Sequence, residues 1–142
     1  MNTQTTLSHT DAQTAIAVIQ AEIAKRGKAA SIAVADAHGE LIAFLRMDGA
    51  RLNTINIACN KAFTASREQK PSHEVGQRVR DPEKGHDISY MGDPRYVGWG
   101  GGLPVFVDGV CAGAVAVSGL PEMEDIEVCQ LGVNAISGIN GS

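Results

Sequence analysis

The stretch from Gly100 to Glu127, GGGLPVFVDGVCAGAVAVSGLPEMEDIE, constrains the fold more than any other. It runs from a glycine cluster through an apolar hairpin into an acidic helix start. Val105, Phe106 and Val107 before the turn, and Ala114 to Val117 after it, are short apolar or β-branched runs, the pattern of strands largely buried on both faces. Asp108-Gly109 between them predicts a tight hairpin, because glycine accepts the positive φ that a primed turn requires. The strand breaks at Ser118-Gly119, and Pro121 stands as a first helical residue, where its missing N–H costs nothing. Glu122, Glu124, Asp125 and Glu127 crowd the first turns. Negative charge there complements the unpaired N–H groups and the helix dipole, which accounts for these acids without a bound metal. The buried stripe of this helix is expected at Ile126, Cys129, Val133 and Ile136, laying it back on the sheet.

The chain of 142 residues is expected to form a single domain, 1–142, with a real core. Aromatic residues are only 4 % of the chain while glycine and alanine abound, so that core should be built by close backbone packing of small side chains. The net charge of −4, with no block of lysine or arginine, gives no electrostatic basis for nucleic acid or an anionic membrane as partner. No apolar run approaches the roughly 20 residues that span a bilayer, and the first ten residues have neither a basic flank nor an apolar core, so a cytoplasmic location is expected. Cys59, Cys111 and Cys129 are odd in number, far apart and set among apolar residues, which predicts buried thiols rather than a disulfide framework or zinc site.

Earlier in the chain, Thr10 to Gln13 reads as a capping box opening a helix with Ala12, Ala15, Ile16, Ile19 and Ile23 on its apolar face and Gly27 as its stop. Ser31 to Asp36 and Leu41 to Met47 form a second hairpin around Gly39. From Asn53, as N-cap, to about Arg67 the period is helical again, with Ala58, Ala62 and Ala65 on one face. Lys61 lies near that face and either snorkels to solvent or touches a bound anion.

Residues 68–98 depart from this regularity and read as a long polar functional loop. Pro71 to Arg80 predicts a short helix, with Val75 and Val79 as an i, i+4 pair. Tyr90, Tyr96 and Trp99 argue that the segment is docked, and connections this long in a compact domain are usually functional or disordered. His73, His86, Asp87 and Tyr90 carry its acid/base chemistry. Arg78, Arg80 and Arg95 suit a substrate carboxylate through their planar forks. Gly101 and Gly102 either expose backbone N–H groups to an anion or serve close packing. No nucleophile elbow, Walker loop or zincin motif is present, which leaves acid/base work without a cofactor or metal as the expected chemistry.

The blocks AVADAHGELIAFLRMDGA, NKAFTAS and GGGLPVFVDGVCAGAVAVSGLPEMEDIEV, in this order over roughly residues 10–138, resemble the GlcG/HbpS family, which includes the C-terminal domain of PduO-type proteins. The resemblance implies a profilin-like α/β sandwich, an antiparallel sheet of about five strands flanked by helices, assembled as a homo-oligomer, dimer or octamer. It keeps Arg46 in play as a pocket residue. The family includes haem-binding and corrinoid-associated modules as well as enzymes of aromatic-compound catabolism, so its fold does not fix a function. The segment between the K-A-x-T-A helix and the G-G-x-P strand is denser in histidine, arginine and tyrosine than the ordinary pattern, and no haem ligand is carried over by residue.

The leading expectation is therefore an enzyme of small-molecule catabolism performing hydrolysis, deamination or isomerisation on a small carboxylate such as a ring-cleavage product. In it the arginines hold the carboxylate, His73 or His86 moves a proton, and Tyr90 donates to the developing charge. The alternative is a non-catalytic module that binds haem or a corrinoid.

Overall fold

The computed structural model describes residues 1–139, with side chains as far as Ile136. Four helices and four strands alternate as α1 (His9–Lys25), β1 (Ser31–Asp36), β2 (Leu41–Arg46), α2 (Thr54–Glu68), α3 (Ser72–Val79), β3 (Gly102–Val107), β4 (Val110–Ser118) and α4 (Glu122–Ile139). A 3-10 turn at Ile88–Met91 lies between α3 and β3. The strands form one antiparallel sheet in the order β2-β1-β4-β3, four strands among the described residues where about five were expected.

The two faces of the sheet differ because side chains alternate along a strand. Ile32 and Val34 of β1, with Val115 and Val117 of β4, point to one face and meet Ile19 and Ile23 of α1 and Val128, Cys129 and Ile136 of α4. Ala33, Ala35 and Ala116 point to the other, where they meet Ala58 and Ala62 of α2. Alanine against alanine lets α2 lie almost on the sheet. At Gly102 a Cβ would fall 2.4 Å from the Lys61 carbonyl oxygen, so only glycine permits that approach.

The β3–β4 hairpin turns where the Asp-Gly pair predicts, with φ of 50° at Asp108 and 78° at Gly109. β3 is less buried than expected: it is an edge strand, paired on one side only, and Phe106 is exposed. In α4 the inward face is carried by Val128, Cys129, Val133 and Ile136, while Ile126 is only half-buried. Pro121 stands just outside the helix, and its carbonyl accepts from the amides of Glu124 and Asp125.

Two helix starts differ from expectation. The capping box of α1 is Ser8 with Asp11, not Thr10 with Gln13: Ser8 is extended, its Oγ accepts from the Asp11 amide at 3.1 Å, and the Asp11 carboxylate accepts from the Ser8 amide at 2.9 Å. Thr10 is already helical, its carbonyl accepting from Thr14 Oγ1. Asn53 is helical itself and makes no side-chain cap, and α2 has no acid in its first turn.

Cys111 and Cys129 are buried and Cys59 is half-buried, all as free thiols. No helix is long and apolar enough to cross a membrane among the described residues.

Candidate functional site

The 68–98 segment is more ordered than a loop. After α2 the chain turns at Gln69, whose left-handed φ of 57° ends the helix, and Pro71 opens α3 with its fixed φ. The segment is pinned back at Phe63 of α2. Tyr96 packs edge-on against that ring at 5.1 Å between centroids, and the Arg95 guanidinium lies over it at 4.0 Å. The Val97 amide donates to Thr64 Oγ1 at 3.0 Å, and Tyr96 Oη donates to the Glu68 carboxylate at 3.2 Å.

This docking sorts the candidate residues. Arg95 is committed to Asp93 at 3.0 Å and Glu40 at 3.2 Å, and the guanidinium holds the Asp93 carboxyl below the usual carboxylate range. Arg78 pairs with Glu68 at 2.8 Å. Asp87 accepts from the Ser89 amide at 2.9 Å, which lowers its carboxyl and makes it the cap of the 3-10 turn. His73 is half-buried on α3, its Cβ against Gly100 and its Nδ1 buried without a hydrogen-bond partner among the described residues. Arg46 is exposed at the end of β2. The three arginines expected to share one carboxylate therefore point to separate places.

Arg80 and His86 do come to one place. They line a trough of about 320 Å³ whose other walls are Val79, Ile88, Val97 and Trp99, and it is mostly apolar. None of the ion pairs among the described residues involves Arg80. His86 is exposed at the rim, stacked on Tyr90 with centroids 6.4 Å apart, and its Nδ1 lies 2.8 Å from the Asp87 carbonyl oxygen. A carbonyl only accepts, so Nδ1 carries a proton, and in the neutral ring the lone pair lies on Nε2. Trp99 and Tyr90 are large aromatics left 57 % and 81 % exposed beside it. Sequence reading named Arg80 and His86 but missed Val79, Ile88 and Val97, whose only signal was apolar character inside a polar segment.

Lys61 neither snorkels nor stands free. It is 3 % exposed, as is Asp125, and its ammonium donates to the Val117 carbonyl at 2.9 Å and to the Asp125 carboxylate at 3.2 Å. Alanine neighbours set the lysine against the sheet, and α4 brings a carboxylate that makes burial tolerable. The acids of the α4 start divide in the same way: Glu124 pairs with Lys28 and Arg26, Glu127 with Arg26, and Asp125 with Lys61. Burial pushes the Asp125 carboxyl up, against the pull of Lys61 and of the Leu120 and Gly119 amides. Gly101 packs on this pair with φ of 124°, and a Cβ there would fall 2.9 Å from Lys61 Nζ. Gly101 and Gly102 thus serve close packing, and the Gly102 amide is taken by Ser72 Oγ at 2.9 Å.

No group of three or more histidine, cysteine or acidic side chains is arranged to hold a metal ion among the described residues. One histidine with a free Nε2 over an apolar trough is a different arrangement, suited to a flat ligand that brings its own metal.

Fold and trough together define a small antiparallel α/β sandwich with a mostly apolar trough on the segment between α3 and β3. The chain belongs to the HbpS-like family: the family model described as haem degrading protein HbpS-like matches residues 7–134. It is 37 % identical to protein GlcG of Escherichia coli K12 over 121 residues, 83 % of this chain and 85 % of that protein. It is 36 % identical over 86 residues to an uncharacterised 15.0 kDa protein of the Citrobacter freundii dhaT-dhaS intergenic region, spanning 61 % of each. Among solved structures, protein ORFY of Klebsiella pneumoniae superposes with a TM-score of 0.90 at 27 % identity, over 96 % of this chain and 94 % of that one. A double mutant of HbpS from Streptomyces reticuli gives 0.84 at 27 % identity, over 94 % and 88 %. PduOC in complex with haem gives 0.85 at 24 %, over 92 % and 94 %, a likeness of fold.

Proposed function

We propose that the chain is a haem-binding module, with the macrocycle seated on the trough between α3, the 3-10 turn and Trp99. The carrying observation is that His86 lines a mostly apolar trough with Nδ1 donating to the Asp87 carbonyl and no partner at Nε2 among the described residues. Histidines that ligate metals usually have their other ring N–H held in this way, which fixes tautomer and orientation. The remaining residues fit the group. Val79, Ile88, Val97 and Trp99 offer apolar contact to a porphyrin face, and Arg80 offers a cation to a propionate. Bound there, haem would supply an iron centre whose reactivity the surrounding polarity tunes.

The trough is at the small end of ligand pockets, which run to about 300–1,000 Å³. This chain would therefore cover one face of the macrocycle and leave the other open. A second copy in a homo-oligomer is the natural cover for that face.

Acid/base catalysis on a small carboxylate has less support here, because Arg78, Arg95 and Asp87 are engaged within the segment itself. Adding hemin to the protein tests the proposal. The sequence has a single tryptophan, Trp99, so a Soret shift should arrive with saturable quenching of its fluorescence at equal stoichiometry. A Soret shift without quenching would place haem elsewhere, no shift would remove haem as ligand, and saturation by cobalamin alone would favour a corrinoid.

A further inference from the structure

A second pocket, of about 280 Å³, opens on the other side of Trp99 and has the buried Lys61–Asp125 pair at its floor. An ammonium has three N–H donors. Two of those on Lys61 have protein acceptors, the Val117 carbonyl and Asp125 Oδ2, and the third has none among the described residues. Lys61 lines the pocket, so that is where an acceptor can reach it. Arg51 stands at the rim, exposed and in none of the ion pairs among the described residues. The start of α2, with no side-chain cap and no acid in its first turn, contributes Asn53, Thr54 and Ile57 to the same wall.

The charges define the ligand by sign and number. Lys61 and Asp125 cancel at the floor, which leaves Arg51 and the positive end of α2 to favour one anionic group. Glu122 in the opposite wall repels a second. Between them Trp99, Ile57 and Leu120 are apolar.

We propose that this pocket binds a small monocarboxylate, its carboxylate between Arg51 and the unused Lys61 donor and its short apolar body against Trp99, Ile57 and Leu120. This site is separate from the haem trough and stands whether or not haem binds there.

The test is a titration of the protein with butyrate, followed by Trp99 fluorescence, beside its neutral isostere butyramide and the dicarboxylate succinate. Butyrate should saturate with a Kd of about 1 mM or tighter, with both others at least about tenfold weaker. Arg51→Ala should weaken butyrate by about tenfold or more without lowering Tm, since Arg51 is exposed. Glu122→Gln should narrow the gap between butyrate and succinate. Absence of saturation by butyrate, equal binding of butyramide, or an unaltered Kd in Arg51→Ala would each overturn the proposal.

Discussion

The Lys61 ammonium lies 3.2 Å from the Asp125 carboxylate with both side chains buried, and this contact bolts α2 to α4 across the edge of the sheet. Removing one partner strands the other as a buried charge. Lys61→Met should therefore cost about 3–5 kcal/mol in urea unfolding. Lys61→Met with Asp125→Asn should recover most of that loss, because a neutral amide leaves no charge unpaired and its oxygen still accepts from the Leu120 amide. A double variant no more stable than the single one would show that the pair is not the source of the cost.

Gly101 is predicted to be intolerant of any side chain. Its φ of 124° is a region that L residues rarely adopt, and an added Cβ would fall 2.6 Å from the Val117 carbonyl oxygen. Gly101→Ala should destabilise by at least about 1–3 kcal/mol from backbone strain alone. The same substitution at Gly92, also at positive φ but with open space around it, should cost less.

Arg95 is predicted to pin the segment between α3 and β3. Its stacking on Phe63 and its pairing with Asp93 and Glu40 hold residues 93–97 against α2. Arg95→Gln should raise amide exchange at Val97 while changing global stability by only about 1 kcal/mol. The pH dependence has a definite sign. The Asp93 carboxyl is lowered from an ordinary 3.8 mainly by hydrogen bonds from Arg95, so its contribution is full above that value and is lost as pH falls through the lower folded value. Carboxyl NMR should find Asp93 titrating low in the wild type and higher in Arg95→Gln, where the backbone amide of residue 95 still donates to it.

Thiol labelling should separate the cysteines. Cys111 and Cys129 are buried, and burial pushes all three thiols up, so none is an activated nucleophile. One thiol per folded chain, Cys59, should react at neutral pH, and more slowly than free cysteine. Cys59→Ser should abolish labelling until denaturant is added. Rapid labelling of two or more would contradict the burial of Cys111 against α2 or of Cys129 against β4.

The elements that sequence made legible are those whose signal is local. Asp108-Gly109 specifies its turn by backbone conformation within two residues, and the alanines of α2 declare a close-packed face by their spacing. Lys61 with Asp125 could not be read in this way, because 64 residues separate them and the tertiary fold alone brings them together. The α1 cap moved to Ser8 because serine, threonine and aspartate cluster there and several registers compete. In the 68–98 segment the residue types were recognisable but their partners were not. Arg78, Arg80 and Arg95 look alike in sequence, yet two are held by nearby acids and only Arg80 reaches the trough. Val79, Ile88, Val97 and Trp99 lie apart in sequence and line one trough only in the folded chain.

The most direct measurement is the haem affinity of His86→Ala beside that of the wild type, read from Soret titrations with the oligomeric state of both recorded. The His86 side chain is exposed and hydrogen-bonds only to its neighbour's carbonyl among the described residues, and alanine keeps the backbone bond to Val79, so the variant should fold as the wild type does. The expected result is an affinity lower by at least about tenfold, with a changed Soret position, because loss of even a ligand's hydrogen-bond partner typically costs about 10–100-fold. Equal affinity and an identical Soret band would contradict it and would remove His86 from the haem site.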